Sequence, residues 1–227
     1  EVELNADGSL TIRDNGRGIP VDPHPKFPDK SALEVILCTL HSGGKFNGKA
    51  YETSGGLHGV GSSVVNALSD LMVVEVAKNK ELFQQSFSRG KPLAPIRKVG
   101  PVANRRGTWV TFHPDAQIFG SQQFRPGRLM RMVRSKAYLF SGVEIRWKCE
   151  AELIGDDTPS EAVFQFPGGL ADHLKEQVGS RECATADPFT GSQEFPAGPD
   201  GQSQGRVEWA VAWPLWSDGS YSWYCKC

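Results

Sequence analysis

DNGRGIP, residues 14–20, follows the alternating stretch SLTIR and combines an acid, an amide, two glycines, an arginine and a proline in one short turn. Two interpretations are open from the residues alone. Asp14 could close an Asx turn through its own carboxylate. Alternatively, the carboxylate leaves the end of a strand toward a pocket and accepts a hydrogen bond from an amino group, with Gly16 and Gly18 leaving room for a flat ring.

The composition describes an ordinary globular chain. Its 227 residues include 25 basic and 26 acidic side chains, giving a net charge of −1, so nothing indicates a polyanion-binding protein as a whole. The cysteines are scattered without paired zinc spacing, which favours reduced thiols in the cytoplasm. No apolar run approaches the roughly 20 residues that a membrane-spanning helix needs. We therefore expect a cytoplasmic protein with no membrane partner.

Both ends of the chain have strand patterns. EVELNADGSLTIRDNG alternates as two strands around the turn NADGS, and RVEWAVAWPLWSDGSYSWYCKC alternates as two strands around SDGS. Because the sequence begins and stops within these patterns, we expect a fragment of a longer polypeptide.

The intervening segments predict an α+β fold. VDPHPKFPDK is predicted to be a loop, and SALEVILCTLH a helix with Ser31 as its N-cap and Glu34 at the capping-box position. VGSSVVNALS has Val60, Val64, Val65 and Leu68 at helical spacing. LMVVEVAK, ELFQQSFS, GTWVTFHPD and GVEIRWKCE predict strands, PGRLMRMVRSKAYLF predicts a helix, and residues 185–205 predict a loop.

A glycine-rich stretch ends at the helix predicted from VGSSVVNALS. The motif SGGLHGVGSS places Gly55, Gly56, Gly59 and Gly61 before and at the start of that helix, where free backbone amides suit phosphate oxygens. A flexible surface loop is the alternative. The motif lacks the Gly-Lys-Ser/Thr ending of a Walker loop and the preceding strand of a Rossmann fingerprint. An acid at a strand end followed by such a helix makes a nucleotide site plausible.

Four segments carry a resemblance to a known family. DNGRGIPVDPHP, ILCTLHSGGKF, YETSGGLHGVGSSVVNALS and GTWVTFHPD resemble, in order and spacing, the ATPase subunit of bacterial type IIA DNA topoisomerases, the group formed by the B subunits of DNA gyrase and of topoisomerase IV. DNGRGIP alone is shared more loosely with sensor histidine kinases, MutL proteins and heat-shock chaperones. The combination of LHSGGKF with SGGLHGVG restricts the resemblance to the topoisomerase subunits. Between the two subunits, VILCTLHSGGKF favours topoisomerase IV.

The resemblance implies a fold and a domain division. Residues 1–164 would form a two-layer α/β sandwich of the gyrase, histidine-kinase and MutL ATPase superfamily, the Bergerat fold, without its first helix. Residues 165–227, with GGLADHL and VEWAVAW, would begin a truncated transducer domain.

The resemblance also implies an ATP site. Asp14 would take the adenine amino group, helped through a water by Thr108, and Arg17 would lie at the pocket mouth. Lys45 and Tyr51 would belong to a lid over the phosphates. His58 is interpreted as structural rather than catalytic. The other residues implied to bind ATP are Gly16, Gly18, Ile19 and Pro20 around the adenine, and Gly56, Leu57, Gly59, Val60 and Gly61, with the backbone of His58, around the phosphates.

The catalytic groups of that family have no match in this chain. The general-base glutamate and the Mg²⁺-binding asparagine would lie on a helix upstream of Glu1, and a γ-phosphate lysine would follow Cys227. No catalytic or metal-binding residue is therefore assigned here. In the complete enzyme the resemblance implies ATP-driven dimerisation of a clamp, a DNA-cleaving A-type subunit as partner, and DNA as the substrate whose topology changes.

Two other functions stay open. A histidine kinase ATP-binding domain would need an upstream phosphoacceptor helix, and GTWVTFHPD followed by a long helix and a second domain argues against it. A nucleotide-binding module without hydrolysis is the other alternative.

Overall fold

The computed structural model describes residues 1–41, 59–196, 205–215 and 218–224. Helices and strands follow each other in the mixed order expected of an α+β protein. The helices are α1 (Ala32–Cys38), α2 (Gly61–Ala67), α3 (Ala116–Phe119), α4 (Pro126–Leu139) and α5 (Leu170–Val178). The strands are β1 (Val2–Leu4), β2 (Leu10–Arg13), β3 (Pro23–His24), β4 (Phe27–Ser31), β5 (Ser69–Lys78), β6 (Glu81–Ser88), β7 (Lys91–Pro92), β8 (Arg97–Pro101), β9 (Gly107–Pro114), β10 (Ile145–Cys149), β11 (Glu161–Phe164), β12 (Phe189–Phe195) and β13 (Gly205–Val211).

The main sheet has the strand order β11-β10-β1-β2-β9-β5-β6-β7, with β8 also paired to β6. β1 runs parallel to β10, whereas β2, β9, β5 and β6 are joined by antiparallel pairing. This order places β9 between β2 and β5. Because β2 and β9 are antiparallel, the end of β2 lies beside the start of β9.

The chain folds into two compact units. The first comprises the described residues of Glu1–Met130 with Arg146–Ala162. The second comprises Arg131–Ile145 with the described residues of Val163–Cys225. In the second unit, Tyr138 and Leu139 of α4 share a core with Phe166. The domain boundary expected at 164/165 stays a prediction.

In the first unit, alternate residues of the strands are buried against helices. In β5, Met72, Val74 and Val76 are buried, while the residues between them point to the other face. They form a core with Leu33 and Leu37 of α1. The predicted α+β fold, with helices layered on one face of a sheet, is confirmed.

The predicted helix α1 begins as the sequence indicates. Ser31 Oγ accepts a hydrogen bond from the Glu34 backbone N–H at 3.1 Å, which confirms the N-cap. The Glu34 carboxylate instead accepts from Gln85 Nε2 at 3.3 Å.

The segment VDPHPKFPDK was predicted to be a loop, and the structure forms the hairpin β3–β4 there. Its prolines are tolerated because a two-stranded sheet consists only of edge strands. His24 and Phe27 support the hairpin with ring centroids 5.5 Å apart.

The loop predicted for residues 185–205 contains the strand β12, which pairs with β13 in the second unit. Gly191 lies opposite Trp209, and a Cβ at Gly191 would come within 2.2 Å of the indole ring. A glycine that looked like a loop residue therefore makes room for a cross-strand tryptophan. The strand expected after SDGS is not formed in residues 218–224.

The helix predicted from VGSSVVNALS exists as α2, but of its apolar residues Val65 packs against the core and others are exposed. Val64 is 40 % and Leu68 36 % exposed, whereas Ser63 and Asn66 are buried. Within the described ranges, no helix is both long and apolar enough to cross a membrane.

Candidate functional site

Asp14 and Thr108 are brought together by the pairing of β2 with β9. Arg13, the last residue of β2, lies opposite Trp109, so the following residue meets the start of β9. The Asp14 backbone N–H donates to Thr108 O at 2.9 Å, and the Thr108 N–H donates to Asp14 Oδ1 at 3.3 Å. Two residues that the resemblance assigned to the adenine are therefore neighbours.

The Asp14 carboxylate also closes an Asx turn. Its Oδ1 accepts a hydrogen bond from the Gly16 N–H at 2.8 Å, so the local interpretation of DNGRGIP is correct as far as it goes. Oδ2 takes part in neither of these two hydrogen bonds, and Asp14 is an exposed residue. The turn thus fixes one carboxylate oxygen and orients the other.

Two glycines with positive φ allow this turn to lie against the sheet. Gly18 has φ +77°, and a Cβ there would be 3.0 Å from Val76 Cγ1 of β5. Gly107 has φ +107°, and a Cβ there would be only 2.0 Å from Asp14 O. Sequence reasoning missed Gly107. Its position directly before Thr108 was the available signal.

Thr108 and Arg106 form further hydrogen bonds with the turn. Thr108 is buried, and its Oγ1 accepts a hydrogen bond from the Ile19 N–H at 3.2 Å. Arg106 Nε donates to Gly16 O at 2.9 Å. Ile19 packs against the core of the first unit, while Pro20 is exposed. The turn therefore contains an exposed acid and a half-buried apolar residue.

A cationic hollow lies beside this turn. Its volume is about 450 Å³, and it is lined by Arg17, Ala77, Lys78, Asn79, Lys80, Arg105 and Arg106. Arg105 is held by Glu75 at 2.5 Å and stacks 3.4 Å from the Trp109 ring centroid. Lys78 contacts Asp22 at 3.4 Å. Arg17 was predicted at the pocket mouth, and the other cations of the hollow were not predicted.

The glycine stretch before α2 is described only at its end. Gly59 has φ +61°, Val60 is the residue before the helix, and Gly61 begins it with open space around its Cβ position. Ser63 Oγ donates to Val60 O at 2.9 Å and thereby links Val60 to the first turn of α2. The predicted residues Lys45, Tyr51, Gly56, Leu57 and His58 lie outside the described residues.

The described residues can be compared with the two expected ligands, a nucleotide and a metal ion. A carboxylate beside a half-buried apolar residue and backbone kept close by glycines suits a flat base that carries an amino group. Among the residues the structure describes, no group of three or more His, Cys, Asp or Glu side chains could hold a metal ion. The described residues around Asp14 thus fit the base of a nucleotide.

Comparison with known proteins identifies the class. The family described as histidine kinase-, DNA gyrase B- and HSP90-like ATPases matches residues 1–118. The chain belongs to this family.

The individual relatives are more specific. The B subunit of DNA topoisomerase 4 from Caulobacter vibrioides is 56 % identical over 214 residues, which cover 94 % of this chain and 30 % of that protein. The B subunit of DNA gyrase from Thermus thermophilus is 46 % identical over 189 residues, covering 83 % and 29 %. The chain thus spans about a third of the length of the curated relatives that it matches.

A solved structure shares the fold. The crystal structure of the 43K ATPase domain of Thermus thermophilus gyrase B, in complex with an aminocoumarin, has a TM-score of 0.71 at 38 % identity. The match covers 86 % of this chain and 48 % of that chain.

Proposed function

We propose that this chain is the ATP-binding part of the B-type subunit of a bacterial type IIA DNA topoisomerase. The observation that carries the proposal is the junction of Asp14, Gly107 and Thr108, where an exposed carboxylate is fixed by two backbone N–H groups at the end of the central strands. The similarity to the B-type subunits of topoisomerase 4 and gyrase supports the same conclusion.

In this site Asp14 accepts a hydrogen bond from the adenine amino group. The Thr108 hydroxyl already accepts from Ile19 N–H, so its own proton is free to reach the base through a water. Gly16 and Gly18 keep the backbone close to the ring, and Ile19 and Pro20 provide apolar surface. Arg17, which lines the cationic hollow, is assigned to the mouth of the pocket.

The phosphates are assigned to the glycine stretch. Backbone N–H groups from Leu57 to Gly61, which follow Gly56, would surround the phosphates. The side chain of His58 is interpreted as structural. Lys45 and Tyr51 belong to the lid in this proposal. Bound Mg²⁺ would neutralise phosphate charge, and its asparagine ligand and the general base are expected upstream of Glu1. Catalysis is therefore assigned to no residue of this chain.

In the complete protein, which we place in the cytoplasm, ATP binding brings two copies of the B-type subunit together and traps DNA. Closure requires contacts to ATP that only the closed state makes, because a ligand shifts an equilibrium only by its differential affinity. Residues 165–227 are the start of the transducer, which relays nucleotide state to a DNA-cleaving A-type subunit. The product is DNA of altered supercoiling or linkage.

A calorimetric titration with a non-hydrolysable ATP analogue tests the nucleotide site. Asp14→Asn keeps an acceptor for the turn but presents an N–H toward the adenine amino group. We expect affinity to fall at least about tenfold, the effect of losing a hydrogen bond to a charged group. A version extended upstream through the expected helix should hydrolyse ATP, whereas this chain alone should not.

The matched control is Asp7→Asn. Asp7 also closes an Asx turn, its Oδ1 accepting from Ser9 N–H at 2.9 Å, but in the β1–β2 turn. It should bind like the wild type. Equal affinities of the Asp14 and Asp7 variants would contradict the adenine assignment.

A further inference from the structure

Asn66 of α2 is a fully buried polar residue with no place in the proposed contacts to ATP. Its side chain is 0 % exposed, and its Nδ2 donates to Leu37 O at 3.0 Å. The same nitrogen lies 3.8 Å from Cys38 Sγ. Leu37 and Cys38 are the last two residues of α1, so one amide from α2 holds the end of the neighbouring helix.

That contact satisfies a group that the helix cannot satisfy by itself. The last carbonyls of an α-helix have no partner within the helix. Thr39, the C-cap of α1, is extended, and its N–H returns to Val35 O at 3.0 Å, which leaves the Leu37 carbonyl to other donors. The Asn66 amide supplies one from outside the helix.

The two polar atoms of the Asn66 amide differ in their partners. Asn66 Oδ1 is buried and has no hydrogen-bond partner among the described residues. A buried acceptor left unpaired is unfavourable, and an apolar side chain of similar size would avoid that cost but would remove the donor to Leu37 O. The donor on Nδ2 is therefore the useful part of the side chain.

The backbone of the same residue makes a second anchor. Asn66 O accepts a hydrogen bond from Gly90 N–H at 3.2 Å, in the turn between β6 and β7. A Cβ at Gly90 would lie 3.5 Å from Ala67, so this turn also packs directly on the end of α2. Residue 66 thus joins α1, α2 and the β6–β7 turn.

We propose that Asn66 is a positioning residue for the nucleotide site: by fixing α2 against α1, it fixes the backbone of Gly59–Gly61. This inference rests on the proposed function. Val60 O accepts from both Val64 N–H and Ser63 Oγ, so the residues that enter α2 move with it. Because α2 has only two turns, a lateral bond near its last turn controls the orientation of its first.

The test compares two ligands on Asn66→Leu, which keeps the side-chain volume and removes the donor. Affinity for a non-hydrolysable ATP analogue should fall about five- to tenfold, as expected when the displaced Gly59–Gly61 backbone loses one hydrogen bond to the phosphates. Affinity for adenosine, followed by NMR titration, should not change, because the adenine contacts lie on β2 and β9. A merely structural role would leave both affinities unchanged or lower them by the same factor.

Ser69→Ala is the matched control. Ser69 is buried next to α2, and its Oγ donates to Val65 O at 2.6 Å without reaching α1. It should lower the unfolding midpoint and leave both affinities unchanged.

The outcomes separate the two proposals. Wild-type affinity of Asn66→Leu for the analogue, or equal losses for analogue and adenosine, would refute the positioning role while the nucleotide site stands. If Asn66→Leu does not fold, Asn66→Ser undergoes the same comparison, and failure of both to fold refutes the role in favour of stability. A wild-type protein that binds neither ligand overturns the nucleotide site itself.

Discussion

Replacing Gly107 by alanine should break the junction at which Asp14 meets β9. The added Cβ would lie 2.0 Å from Asp14 O, 2.7 Å from Asp14 C and 2.8 Å from Asp14 Oδ1. Two of these atoms are backbone, so no side-chain rotation relieves the overlap. An alanine would also have to adopt φ +107°.

The size of the effect follows from that geometry. Moving the Cβ contact from 2.0 Å to an ordinary 3.4 Å separates the two strand ends by about 1.4 Å. The shift breaks the two hydrogen bonds between Asp14 and Thr108, at about 0.5–1.5 kcal/mol each, and the strained φ adds about 1–3 kcal/mol. The free energy of unfolding should therefore fall by about 2–6 kcal/mol.

Nucleotide affinity should fall with it. A displaced carboxylate loses a hydrogen bond worth about 1.5–3 kcal/mol, which corresponds to about 10- to 100-fold weaker binding of an ATP analogue. Urea unfolding measures the first effect, and calorimetric titration at a temperature where the variant is folded measures the second.

Gly142→Ala provides the comparison. Gly142 has φ +90° with nothing within 4 Å of its Cβ position, so alanine there adds backbone strain without a clash. It should cost about 1–3 kcal/mol and leave nucleotide affinity unchanged. The reasoning is refuted if Gly107→Ala loses no more stability than Gly142→Ala and binds the analogue like the wild type.

Two further predictions concern α1. Ser31→Ala removes the N-cap and should lower the free energy of unfolding by about 1 kcal/mol in urea titrations, whereas Ser31→Asp should retain most of it; equal losses in both variants would argue against capping. Burial, reinforced by Glu34, raises the pKa of the Cys38 thiol from 9.0 to about 11. Because the folded state favours the neutral thiol, its contribution is present below pH 9 and is lost as the pH rises through 11. Urea unfolding between about pH 8 and pH 11 should show this decline, and Cys38→Ala should remove that part of it; an unchanged slope would contradict the assignment.

The elements that the residues predicted correctly depend on local physics. The alternation of β5 and the Ser31 cap of α1 involve neighbours within a few positions, and both were predicted correctly. The Asx turn of Asp14 is equally local. Each of these features depends on interactions that a short window of sequence contains.

The errors arise where a tertiary contact outweighs composition. The strand β12 was predicted as loop because glycine is typical of a break in regular structure, yet Trp209 across the hairpin occupies the space beside Gly191. The helical spacing of the valines predicted α2 but did not indicate that Asn66 points inward toward Leu37 O. In both cases the deciding partner lies on another element.

The sequence by itself determined the α+β class, the acid-and-glycine turn and, through four linked motifs, the family resemblance. Only the tertiary structure decided that Thr108, 94 residues from Asp14, holds its carboxylate, and that Gly107 permits the approach. Only the tertiary structure linked α1 to α2 through one buried amide. The reason is that local propensity acts over a few residues, while strand register and helix packing bring together groups that no short pattern connects.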